Sequence, residues 1–155
     1  RIVVASSTGE TALKLHEKAP AKTDIIAVTY SAGSRFPKEV ERFLENRDEI
    51  TAKGITIVRG MHALSATEKA FQNKYKTGML PLNIVADSLR MFCHGIKVCV
   101  EIAIMAAEAG HITPEQDVVA IAGSHRGADT AVVLKPAYAA NMFETKIRAL
   151  LCMPA

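Results

Sequence analysis

Ile2-Val-Val-Ala5, then Ser6-Ser-Thr-Gly9, then Glu10-Thr-Ala-Leu-Lys-Leu-His-Glu-Lys-Ala19 reads as a buried strand, a hydroxyl-rich loop and an amphipathic helix. A β-branched run broken by Ser and Gly is a strand signal, and Ala12, Leu15 and Ala19 recur at helical spacing. Asp24-Ile-Ile-Ala-Val-Thr29 repeats the strand. Pro37 opens the next helix, with Val40, Phe43, Leu44 and Ile50 facing inward and Gly54 ending it ahead of a third strand, Ile55-Thr-Ile-Val58. Buried strands alternating with amphipathic helices predict a parallel sheet with helices on both faces.

Farther along, Ser65-Ala-Thr-Glu68 has capping-box spacing, and Pro81 starts a helix with Val85, Leu89 and Phe92 on one side. Gly95 is expected to separate it from Ile96 to Ala109, which is apolar nearly all round, as a helix buried against a sheet should be. Asp117-Val-Val-Ala-Ile-Ala122 is a fourth strand, followed by a glycine-bearing loop, Gly123-Ser-His-Arg-Gly-Ala-Asp129. Thr130-Ala-Val-Val-Leu134 follows too closely for a crossover helix, so this fifth strand is expected to run antiparallel at an edge. Ile147 to Cys152 can add a further strand. The fold class is α/β, a three-layer sandwich whose sheet is mostly parallel with an antiparallel edge strand.

The 155 residues make one domain's worth of chain, spanning 1 to 155. The composition is 49% hydrophobic and 23% charged, which is ordinary for a globular protein. A net charge of +3 with scattered basic residues and no Trp gives neither the basic patch nor the stacking platform that nucleic acid requires. Cys93, Cys99 and Cys152 are odd in number and lack metal-ligand spacing, so a reducing cytoplasm and no metal site are expected. Ile96 to Ala109 carries Lys97, Glu101 and Glu108 and is too short to span a membrane. Because the first strand starts abruptly at Arg1, a preceding N-terminal segment is expected.

In an open parallel sheet, ligands bind outside the carboxyl ends of the strands, where the winding changes direction. The loops Ser6 to Gly9 and Gly123 to Asp129 both leave such ends. The first offers Ser6, Ser7, Thr8 and Thr11, with Gly9 permitting close approach, and a helix N-terminus beside it favours an anion such as phosphate. The same residues have a plainer reading, in which Ser7 and Glu10 form a capping box and no ligand is needed. Glu10 would repel a phosphate unless it points away.

At these loops the chain resembles the C-terminal domain of pyruvate kinase. Ser6-Ser-Thr-Gly-Glu-Thr-Ala12 is similar to that domain's phosphate loop, and Lys18-Ala-Pro20 and Asp24 to Thr29 continue the likeness. Ala106 to Gly110, Asp117 to Gly123 and Gly127-Ala-Asp-Thr-Ala131 are similar to its last helix, strand and effector loop, whereas residues 30 to 95 match poorly. The resemblance implies that Ser6, Thr8, Gly9 and Thr11 hold a phosphate and that Gly123, Arg126, Gly127 and Thr130 belong to a loop closing over the ligand. Ser124, Ala128 and Asp129 lie in that same loop. The kinase's catalytic barrel has no room in this chain, and a glutamate at position 10 together with a shorter effector loop argues against a sugar bisphosphate. The closest likeness is to stand-alone relatives of the domain, for which the resemblance suggests flavin mononucleotide (FMN) as cofactor, making the chain a flavoprotein. Thr29, Tyr30 and Arg126 are then the candidates for contacting the ribityl chain and ring. The alternative is a regulatory module that senses a sugar phosphate or nucleotide. Related domains pack against their own copies, so a homo-oligomer is also expected.

His125 is the one candidate acid or base, since it lies in the second loop. Lys97 and Glu101, four residues apart in an apolar helix, read as an ion pair. His94 is expected to sit at a helix end as a favourable cation. Cys93 and Cys99 read as buried thiols, and Lys69, Lys74 and Lys76 as a solvated face.

Overall fold

The computed structural model describes residues 1–124 and 127–154. Six strands, β1 (Ile2–Ala5), β2 (Ile25–Thr29), β3 (Thr56–Arg59), β4 (Val118–Ala122), β5 (Thr130–Lys135) and β6 (Lys146–Cys152), form one sheet in the order β3-β2-β1-β4-β5-β6. β1 pairs in parallel with β2 and β4, and β2 with β3. β5 runs antiparallel to β4, as its short connection requires, but β6 pairs antiparallel along its outer side. The edge expected at β5 therefore belongs to β6.

Helices α1 (Glu10–Lys18) and α2 (Pro37–Ala52) make the two crossovers from β1 to β2 and from β2 to β3. They cover one face, where Ala12, Phe43 and Ile50 pack on Val4, Ile25, Ala27 and Ile55. The chain then reverses direction across the sheet to reach β4, and a right-handed crossover in that direction places its helix on the opposite face. That helix is α5 (His94–Glu108), whose Ile96, Cys99, Ile102, Ala103 and Ala106 meet Val3, Ile26, Val28, Ala120 and Val132. Alternation along β1 sends Val3 to one layer and Val4 to the other. α3 (Glu68–Tyr75) and α4 (Pro81–Arg90) precede α5, and α4 lies against its outer side through Ala86, Val85 and Leu89. A 3-10 helix at Ala139–Glu144 links β5 to β6.

Several local expectations change. Leu44 is 43% exposed and Phe92 67% exposed, because α2 buries only the stripe holding Phe43 and Ile50, and Phe92 lies beyond the end of α4. Gly95 lies inside α5, and a methyl group there would overlap the Thr130 side chain. It permits close packing of helix on strand where a helix break was expected. His94 consequently opens α5, at the end where a cation is disfavoured. Cys93 is the N-cap, its Sγ accepting the Ile96 N–H at 3.4 Å. Glu68 does not close a box with Ser65; its carboxylate accepts the Leu82 N–H at 3.1 Å and so caps α4. No helix among the described residues is long and apolar enough to cross a membrane.

Candidate functional site

The switch point falls between β1 and β4, whose parallel register carries both chains out at the same sheet edge. The carboxyl ends of β1 to β4, the start of β5, and the N-termini of α1 and α5 share that edge.

The first loop is tied to its surroundings through backbone and buried groups. Ser6 is buried, and its Oγ accepts the Ala12 N–H at 3.1 Å. Gly9 is the N-cap of α1 at φ 88°, with no side-chain cap bond, so the expected Ser7 and Glu10 box does not form. The chain turns through the left-handed region before the helix starts, which moves the capping role from Ser7 to Ser6. A methyl group on Gly9 would approach Ile50 Cδ1 to 2.7 Å, so Gly9 serves the packing of α2 against the loop. The carbonyl of Thr8 accepts from Asn46 Nδ2 at 2.8 Å, and that of Ser7 from Thr29 Oγ1 at 3.3 Å. Thr8 and Thr11 are half-buried, and the first N–H groups of α1, on Glu10 and Thr11, have no acceptor within the helix. Glu10 is exposed and turned toward α2, its Oε1 3.5 Å from Arg42 Nε. The repulsion that a first-turn carboxylate would direct at an anion is thereby aimed elsewhere.

The second loop is built around Asp129. Its Oδ1 accepts from Thr130 Oγ1 at 2.6 Å and its Oδ2 accepts the Ser124 N–H at 3.2 Å. The Thr130 hydroxyl bond chiefly holds the Asp129 carboxyl below its ordinary range. Thr130 is buried and its Oγ1 lies 3.5 Å from Cys93 Sγ, so its hydroxyl braces β5 against α5. At Gly123 any side chain would overlap the Gly127 carbonyl, where the two arms of the loop cross; Gly127 itself has φ 79°. Ala128 is exposed. His125 and Arg126 lie outside the described residues.

Beyond β2, Tyr30 stacks on Phe36 with centroids 5.2 Å apart and ring planes at 24°, and Arg35 lies 5.0 Å over the Phe36 ring. Tyr30 also meets the His62 ring at 5.6 Å. Burial and, secondarily, the charge of Glu39 raise the Tyr30 phenol above its usual range, so it stays a neutral donor. Arg59 Nε donates to the Tyr30 carbonyl at 3.2 Å. These rings make an aromatic wall beside the first loop, joined to it by Thr29.

Behind the wall, Glu101 is buried in α5. Its Oε2 accepts from Lys97 Nζ at 2.6 Å and lies 3.2 Å from His62 Nδ1, while Oε1 accepts the Leu64 N–H at 3.1 Å. Burial alone would raise this carboxyl, but the His62 hydrogen bond and the Lys97 charge bring it down to about 2. The expected ion pair is present, with His62 as an added member. Phe36 and His62 went unread in the sequence. The strand-end rule was read for the loops after β1 and β4 and not for those after β2 and β3; Phe36 meets Tyr30 across a turn, and His62 meets Glu101 from 39 residues away. Among the described residues no group of three or more His, Cys, Asp and Glu is placed to hold a metal ion.

Two shallow clefts lie at the opposite edge of the sheet. One is lined by Pro114, Glu115, Asp117, Lys135 and Arg148, the other by residues that include His16, Pro20, Lys22, Ile25 and Lys53. They are formed by the far ends of the strands and share nothing with the loops above.

A mostly parallel sheet wound outward from β1 in both directions, with helices on both faces and two glycine loops at the switch point, defines an α/β sandwich. The family model for the pyruvate kinase alpha/beta domain matches residues 1–134, and the chain belongs to that family. The match runs through residues 30 to 95, where the sequence likeness was poor, and stops ahead of the 3-10 helix and β6.

Proposed function

We propose that the protein binds a phosphorylated small molecule, flavin mononucleotide, across the carboxyl edge of its sheet. The phosphate sits on the N–H groups of Glu10 and Thr11 and the hydroxyls of Thr8 and Thr11. The observation that carries this reading is the orientation of Glu10 toward Arg42, which leaves the α1 N-terminus open to a dianion. The aromatic wall of Tyr30 and Phe36 fits the planar ring, and Arg35 supplies a cation at its rim. Bound flavin supplies one- and two-electron chemistry; this chain's residues bind and orient it. We place the protein in a reducing cytoplasm, as a homo-oligomer.

The test is to denature purified protein and record the absorbance spectrum and mass of whatever small molecule is released. Flavin bands and the mass of FMN are expected. Replacing Thr8 and Thr11 together with Val should reduce FMN retention and abolish the rise in melting temperature that added FMN produces. Colourless protein stabilised by phosphosugars or nucleotides, and indifferent to FMN, would establish the regulatory-module reading in its place.

A further inference from the structure

We infer that His62 hydrogen-bonds the planar end of the bound ligand through Nε2, with Glu101 and Lys97 holding it in position. This rests on the proposed ligand site, and names the group that reads the ligand's ring.

The Lys97 and Glu101 pair together with the Leu64 N–H already forms a clamp between α5 and the loop after β3. A clamp needs no imidazole. Buried ion pairs also give little net stability compared with apolar packing of similar volume. His62 nevertheless directs Nδ1 at the same carboxylate, and about a third of its side chain remains exposed. With Nδ1–H committed to Glu101, Nε2 is the ring's sole remaining polar atom. In the neutral ring it accepts from an N–H or O–H, and in the charged ring it donates to a carbonyl. A carboxylate behind the ring fixes which nitrogen faces outward, as in histidines that work on substrates or metals.

Placement agrees with this role. His62 follows β3, two strands from β1, which is about 10 Å at the usual strand spacing of about 4.8 Å. Inorganic phosphate on the α1 N-terminus is too small to span that distance. A ligand with an extended linker between phosphate and ring spans it, passing Thr29 and lying along the Tyr30 wall that touches His62 at 5.6 Å. The chemical class selected is a heteroaromatic ring whose edge carries carbonyl and N–H groups.

The test compares FMN, riboflavin and inorganic phosphate on the full chain, by flavin fluorescence and by phosphate competition against FMN. His62→Phe keeps a ring beside Tyr30 and removes both nitrogens. It should weaken FMN and riboflavin by the same factor, about tenfold for one lost hydrogen bond, and leave the phosphate competition constant unchanged. Thr11→Val should do the reverse, weakening FMN and phosphate and sparing riboflavin. If the melting curve of His62→Phe shows misfolding, His62→Leu, whose side chain likewise has no polar atom, is read the same way. FMN binding to the folded variant within twofold of the parent overturns the role of His62 and leaves the ligand site standing. Failure of the unaltered protein to bind either flavin overturns both.

Discussion

Gly95 and Thr130 touch with no room between them: a single methyl group on the glycine would occupy the space of the Thr130 hydroxyl. That contact seats the first turn of α5 on the start of β5, and so brings Cys93, Asp129 and the second loop to one place. Gly95→Ala improves helix propensity by about 1 kcal/mol, but the overlap it creates costs about 1–3 kcal/mol or more. Net destabilisation is expected in urea unfolding. Combining it with Thr130→Ala should cost less than the two single changes summed, since losing the Thr130 hydroxyl and methyl relieves part of the overlap, that with the Cβ remaining.

Glu101 imposes an acid limit on stability. Its carboxyl lies at about 2 in the folded protein against an ordinary 4.5. A depressed folded value gives stability that is fully present above the unfolded value and is lost as pH falls through the folded one. At about 1.4 kcal/mol per unit, the loss between about pH 4.5 and 2 is on the order of 3 kcal/mol. Urea unfolding followed over that range should show it, and Glu101→Gln should remove that part of the slope. The variant should also be less stable at pH 7 by about 3–5 kcal/mol, because Lys97 is left buried without its counter-charge.

What could be read in the sequence was local. Strand and helix alternation, the antiparallel fifth strand and the Lys97 and Glu101 pair follow from periods of two, from helical spacing and from a short connection, each contained within a few residues. The missed features depend on residues brought together by the sheet. His62 meets Glu101 from 39 residues away, and Glu10 meets Arg42 from the next helix. Gly95 looked like a break because a glycine between two helical patterns signals one, and only β5 across the interface shows why a side chain is excluded. The same holds for Gly9, whose missing side chain makes room for Ile50. In the site itself, the loops and Tyr30 were marked but Phe36 was not, since Tyr30 and Phe36 are brought together by a turn with no fixed signature.

The three cysteines should separate by reactivity. Cys99 is buried, donates from Sγ to the Ala120 carbonyl at 3.4 Å, and burial pushes its thiol up to about 12. Cys152 is exposed on β6, and Cys93 is intermediate, engaged as the α5 cap. Because the thiolate is the reacting species, iodoacetamide at pH 8 should modify native Cys152 first and leave Cys99 intact until denaturant is added. Peptide mass spectrometry over a time course checks the order.

Arg42 should matter to phosphate binding without touching the ligand. It draws Glu10 toward α2 and is itself held by Glu45, whose Oε2 accepts from Nη1 at 2.9 Å, the bond that chiefly raises the Arg42 guanidinium above its usual range. All three side chains are more than half exposed, so the ion pairs contribute little to folding. Arg42→Ala should leave the melting temperature almost unchanged. It should, however, release the Glu10 carboxylate to approach the α1 N-terminus and weaken FMN by about two- to fivefold, the size of effect expected of one solvent-screened charge. Riboflavin, which lacks the phosphate, should be unaffected. Removing the carboxylate as well, in Glu10→Gln/Arg42→Ala, should restore FMN binding, and raising the salt concentration should shrink the difference between parent and single variant. Fluorescence titrations of the two flavins at low and high salt give both comparisons.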